Sequence, residues 1–219
     1  MSTFEKTHTN KVIRGPKRAT YDKELIYKIV DDHMICHVAY NYEGTPITIP
    51  TGYGRKNDTI YLHGSQKNRM MTSIETQEHV SITVTHLDGL VVARSVFHHS
   101  VNYRSAILFG KPRKVEDEKE KMEALQLITD NFIPGRWEEA RQPNEKEFNA
   151  TLVIAVEIVE ASAKVRAEGV NDESFDLDLP IWAGVVPFET KVGKEIPEID
   201  LLENVPVPKS IRQFQTVHG

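Results

Sequence analysis

The 219-residue chain has one cysteine, Cys36, so no internal disulfide can close, and that thiol, set in an apolar run, reads as a small buried hydrophobe. Long hydrophobic stretches are missing as well. The first residues, MSTFEKTHTNKVIRG, contain nothing like a signal peptide, which leads us to expect a cytoplasmic protein with no membrane association. There is no excess of positive charge: 27 Lys and Arg stand against 32 Asp and Glu, a net −5, whereas a general nucleic-acid binder needs a basic face. GxSxG, a Walker phosphate loop and GxGxxG are all absent, which removes the usual hydrolase, nucleoside triphosphatase and Rossmann readings. His37, His63, His79 and His86 have neither HxxxH nor HExxH spacing, and no metal site is expected. Any chemistry would have to come from a bound cofactor acting on a small molecule.

What is present is ordinary globular composition, 39% hydrophobic and 27% charged, with no repeat, low-complexity tract or linker, which favours one domain over two. Residues 1–20 are polar and basic and read either as a loosely held arm or as a strand-like arm across a partner subunit. Leu25, Ile26, Ile29 and Val30 fall at helical spacing behind Thr20 or Asp22 as N-cap. Three β-branched runs follow, separated by turn-like Tyr42-Glu43-Gly44 and Lys56-Asn57-Asp58, and suggest an antiparallel meander. A short helix at 66–77 interrupts it. Strands resume at HVSITVTHL, LVVARSVF and YRSAILFGKPRKV; a helix with an acidic start spans 116–132; TLVIAVEIVEASAKV closes the sheet. Residues beyond Gly169 are Pro- and acid-rich and read as an irregular tail packed on the barrel through Trp182, with 191–219 packed or partly mobile. So few helices exclude a doubly wound parallel sheet.

Two segments carry candidate chemistry. YLHGSQKNR puts His63, Gly64 and Ser65 at a strand end and Lys67, Asn68 and Arg69 at a helix mouth, where N–H groups, a hydroxyl and cations can converge on a phosphate; an ordinary strand-to-helix turn is the plainer alternative. ARSVFHHSVNYRS crowds His98, His99, Ser100, Asn102 and Arg104 between apolar strands, and polar groups in such a place need partners. The paired histidines also suit a haem or metal, although neighbours on a strand face opposite sides.

Together IPTGYGR, YLHGSQKNR, DGLVVARSVFHHSVNYRSAILFG, PGRWEEARQPNEKE, SAKVR and PIWAGVVP resemble, across roughly residues 15–190, the flavin-nucleotide-binding, nitroimidazole-reductase-like branch of the pyridoxamine-phosphate-oxidase-like proteins. The resemblance implies a mainly β fold with flanking helices, a six-stranded antiparallel split β-barrel occupying 21–190, and a homodimer with FMN at its interface. It further implies that Thr51 and Tyr53 line the flavin, that His63, Gly64 and Ser65 meet its ribityl-phosphate arm, and that Lys67 or Arg69 holds the phosphate. His98, His99, Ser100, Asn102 and Arg104 would approach the flavin ring, with Trp182 closing the space from the partner chain. The C-terminal substrate-binding arginine and histidine of true pyridoxamine-phosphate oxidases are missing from 190–219. That leaves an FMN-dependent oxidoreductase with an unknown substrate, a non-catalytic flavin carrier or sensor, or a haem-binding or haem-degrading barrel using His98 or His99.

Overall fold

The computed structural model describes residues 2–219. Short β1 (Ala19–Thr20) leads to α1 (Lys23–Asp31), whose N-cap Asp22 accepts a hydrogen bond from the Leu25 N–H and whose Ile26, Ile29 and Val30 are buried. Strands β2 (Ile35–Tyr42) and β3 (Thr45–Gly52) form a hairpin, and Glu43 and Gly44 both have positive φ at its tip. That conformation gives a hairpin turn the twist of its strands. A second hairpin, β4 (Gly54–Lys56) and β5 (Thr59–Ser65), turns at Asn57 (φ 52°). Then come α2 (Arg69–Ile74), β6 (Val80–Val92), a 3-10 turn Val96–His98, β7 (Ser100–Lys114) and α3 (Glu118–Phe132). The chain ends with α4 (Arg136–Glu139), α5 (Glu145–Ala150), β8 (Thr151–Arg166), β9 (Gly184–Pro187) and α6 (Lys209–His218).

The strands form one antiparallel sheet in the order β3-β2-β6-β7-β8-β5-β4, with β1 paired to β8 and β9 to β6. Six of them are long and three short, so the expected six-stranded barrel is present with short additions. The first and last strands of that path, β3 and β4, are joined by the single residue Tyr53, and so the open sheet is drawn round on itself. The meander expected over residues 35–65 is therefore split: the β2–β3 hairpin lies against β6 and the β4–β5 hairpin against β8. LVV, read as the start of a separate strand, is the end of β6 beyond a bulge between Leu87 and Gly89, and ARSVF is turn.

One face of the sheet fills the barrel with Val38, Leu62, Ile82, Val84, Leu108 and Ile154. The opposite face of β5 and β8 offers Tyr61, Val153 and Ala155 to Ala124 and Ile128 of α3. Phe4 is buried in the main core, and Asn10 donates to the carbonyls of Glu5 and Ala161, so the basic N-terminal arm is docked on its own barrel rather than solvated. The tail differs from expectation too. Trp182, through which the tail was expected to pack on the barrel, is 64% exposed and rests over Gly184, and α6 is held at Ser210 to Glu139. No helix among the described residues is long and apolar enough to cross a membrane.

Candidate functional site

Strand β8 sets the distances. Its first residue, Thr151, pairs with Ser65, and its last, Arg166, pairs with Tyr103. Those fifteen steps, at about 3.3 Å each, make a path of at most about 50 Å along the strand, and they place Ser65 and Tyr103 at its opposite ends. The expected site residues divide between these ends.

At the first end, the turn after β5 is organised by Ser65 and Asn68. The Ser65 hydroxyl oxygen accepts from the Lys67 N–H (3.2 Å), and Asn68 caps α2 by accepting from the Met71 N–H (3.3 Å). A Cβ on Gly64 would lie 2.8 Å from the Met71 side chain, so glycine is what lets α2 close on the strand. Lys67 and Arg69 are exposed and join no ion pair among the described residues; the Arg69 guanidinium lies 5.0 Å from the Tyr42 ring centroid. Two free cations beside a serine turn fit an anionic phosphate.

His63, on the other side of β5 from Gly64, opens into a cleft of about 290 Å³. Thr129 and Ile128 of α3 form one wall; Trp137 of α4, with Arg141 and Pro143 of the segment between α4 and α5, forms another. The Arg141 guanidinium is held to Glu147 (2.8 Å), whose carboxyl it draws down to about 2. None of these wall residues carried a role in the sequence reading, although PGRWEEARQPNEKE was itself a signal. Thr51 is half-buried at the end of β3. Tyr53, expected to line the flavin, has its side chain fully buried in the core, with its hydroxyl donating to the carbonyls of Val30 and of His33 (2.8 Å).

At the far end, the polar run is largely engaged in holding the fold. Asn102 donates to the Glu168 carbonyl (3.0 Å) and accepts from the buried Arg166 guanidinium. Arg104 is tied to Asp88 (2.9 Å) and reaches Asp32 (3.5 Å). Ser100 pairs with Val91 on the buried side of β6. Beside Arg104, His33 and His86 meet edge to face at 4.9 Å; the His86 Nε2–H donates to the Ile29 carbonyl, and burial, then the neighbouring His86, lowers the His33 pKa. Arg94, outside the expected set, binds the buried Asp172 carboxylate at 2.8 Å. Burial pushes the Cys36 thiol up to about 12, in keeping with an inert side chain.

The two adjacent histidines differ. His98 packs against Phe97 and faces Glu173 at 3.8 Å. His99 is exposed; its Nδ1–H donates to the Ser95 carbonyl (3.0 Å), which leaves Nε2 with a bare lone pair in the neutral ring. An imidazole oriented through its second nitrogen in this way is prepared as a metal ligand. Extended backbone carries His99 into Val101, two residues on and so on the same side of the strand. There Val186, Leu90 and Val101 pair across β9, β6 and β7 as a half-exposed apolar row, and Trp182 of the same chain lies at its end over Gly184. A flat apolar shelf beside one bare imidazole nitrogen suits a haem face.

The model of the pyridoxamine 5'-phosphate oxidase family matches residues 22–165. Among solved structures, the flavocytochrome Anf3 from Azotobacter vinelandii is 37% identical, with a TM-score of 0.88 over 94% of this chain and 96% of that one. The FAD and heme binding protein from Mycobacterium smegmatis is 34% identical, with a TM-score of 0.85 over 90% of this chain and 96% of that one. No curated protein sequence matches the chain.

Proposed function

This chain belongs to the pyridoxamine 5'-phosphate oxidase family, and from that membership we propose that it is a flavin- and haem-binding oxidoreductase. The carrying observation is that two relatives aligned over nearly the whole chain bear names joining the two cofactors, while His99 offers a bare nitrogen on an apolar shelf. Sequence alone set haem against flavin as an alternative; the two relatives favour both in one protein. Because the Mycobacterium smegmatis relative is named for FAD, we take the flavin to be FAD rather than the FMN expected from sequence.

A flavin takes up two electrons as a hydride and a haem iron carries one at a time, so the pair couples a small organic reductant to single-electron acceptors. The chain supplies the binding groups. Lys67 and Arg69 would hold the flavin phosphate beside Ser65, His63 would face the flavin from its cleft, and the His99 Nε2 would supply a ligand to a haem iron, with Trp182 and the Leu90 row offering an apolar surface. The first set lies in register with the start of β8 and the second with its end, so we take the two sets to meet across two copies. A homodimer is therefore part of the reading: Ser65 and Arg69 of one copy approach the β7 start of the other.

The test is a comparison of absorbance spectra of His99→Ala, His98→Ala and unmodified protein. The Soret band should be lost in His99→Ala alone, with the flavin bands retained. A Soret band unchanged in His99→Ala contradicts the ligand assignment, and absence of haem from the unmodified protein reduces the reading to a flavoprotein.

A further inference from the structure

Residues 193–208 form a strap without regular structure, fixed at both ends. At its start the Val192 N–H donates to the His218 carbonyl (2.9 Å), and Gln215 donates to the Gly193 carbonyl (3.0 Å) and the Glu195 carboxylate (2.9 Å). At its finish α6 is held through Ser210 to Glu139. Between these anchors the apolar side chains turn away from their own barrel: Ile196 is 92% exposed, Ile199 102% and Leu202 78%. Isolated exposed leucines are unremarkable, but three such residues within one anchored stretch make an apolar patch that calls for a partner. Glu198, Asp200 and Glu203 alternate with them and make no ion pair among the described residues.

The N-terminal arm has the complementary character. A groove of about 580 Å³ is walled by Val12, Pro16, Ala19 and Tyr21 and rimmed by Lys6 and Lys11, its one acid, Asp22, being taken up in capping α1. Lys11, like the nearby Arg14 and Lys17, forms no ion pair among the described residues, and Lys6 is engaged only with the Tyr21 ring at 5.0 Å. Ile13, 83% exposed, stands in the same basic stretch. An acidic strap with outward apolar side chains and a basic-rimmed apolar groove, both presented by one chain, satisfy the self-complementarity of a two-fold contact.

We propose that the strap of each copy docks in the N-terminal groove of a second copy of this chain, so that two reciprocal straps clasp the dimer. The proposal goes beyond the flavin and haem reading, since it assigns a role to segments that touch neither cofactor site; it rests on that reading only in taking two copies as the assembly.

The experiment is sedimentation equilibrium of the full holoprotein in four forms: unmodified; Ile196→Asp/Ile199→Asp/Leu202→Asp; Lys6→Glu/Lys11→Glu; and the latter combined with Glu198→Lys/Asp200→Lys/Glu203→Lys. These side chains are exposed, so folding is expected to survive, and circular dichroism checks it. Replacing three apolar anchors of an interface by carboxylates should raise the dimer Kd about 100-fold or more in the aspartate form. Charge reversal in the groove should weaken the dimer, and reversal of both partners should restore it. A folded aspartate form that dimerises like the unmodified protein overturns the strap while leaving a dimer with flavin between its copies intact. Failure of the double reversal to restore a weakened dimer also overturns it, and a monomeric unmodified protein overturns both.

Discussion

Gly54 is the residue on which the wall of the His63 cleft depends most directly. A methyl group built there would lie 2.7 Å from the Leu127 carbonyl carbon and 2.7 Å from the Ile128 nitrogen, both backbone atoms of α3. Carbon contacts relax at roughly 3.5–4.0 Å, so the helix must retreat by about an ångström, and no side-chain rotation can absorb the clash. That retreat loosens Ala124 and Ile128 from Tyr61, Val153 and Ala155, the smaller of the two cores. Overpacking of this kind costs about 1–3 kcal/mol. At about 2–4 °C per kcal/mol for a domain of this size, Gly54→Ala should lower Tm by roughly 2–12 °C in a thermal melt followed by circular dichroism. Gly193→Ala is the control, because nothing lies within 4 Å of its added methyl and its φ is not positive. A Gly54→Ala midpoint within about 1 °C of that control would refute the packing argument, given the shift expected per kcal/mol.

Three further outcomes follow from the same geometry. Tyr53→Phe removes the hydroxyl that meets the Val30 and His33 carbonyls and should cost about 1–2 kcal/mol in urea unfolding, with flavin content unchanged; loss of flavin without loss of stability would return Tyr53 to the binding site. Arg69→Ala and Ser65→Ala should each weaken flavin binding about tenfold in a fluorescence titration, whereas affinities equal to that of the unmodified protein would remove the phosphate assignment. Burial and the neighbouring His86 hold the His33 pKa below its usual 6.5, so near that pH the unfolded chain binds a proton that the folded chain refuses. Stability should therefore rise with pH up to about 6.5 and be lost on acidification below it. His33→Asn, which keeps an acceptor for the Ile35 N–H, should flatten that slope in urea midpoints measured from about pH 5 to 7.5; an equal slope would assign it to other groups.

The architecture was largely legible because its signals are local. Apolar alternation in TLVIAVEIVEASAKV and the acidic start of 116–132 report β8 and α3 almost to the residue. Strand order was not, because nothing local to IPTGYGR tells that Tyr53 separates strands at opposite ends of the sheet path. Neither was the burial of Phe4 or the docking of α6, each of which depends on contacts distant in sequence. The same distinction governs the site. The turn His63 to Arg69 assembles from neighbours and was readable, whereas Asn102 and Arg104 find Arg166 and Asp88 across strands and take holding roles that their side chains alone do not announce. Sequence could not separate His98 from His99; a single hydrogen bond from the His99 Nδ1 to the Ser95 carbonyl does.

One chain of this split-barrel family is proposed to carry both a flavin and a haem. The most direct measurement is the absorbance spectrum of freshly purified protein, followed by acid extraction and identification of the released groups. Flavin bands together with a Soret band are expected, with FAD and haem released in equal amounts per chain. A protein that neither holds nor takes up one of the two groups, haem or flavin, would overturn the two-cofactor assignment.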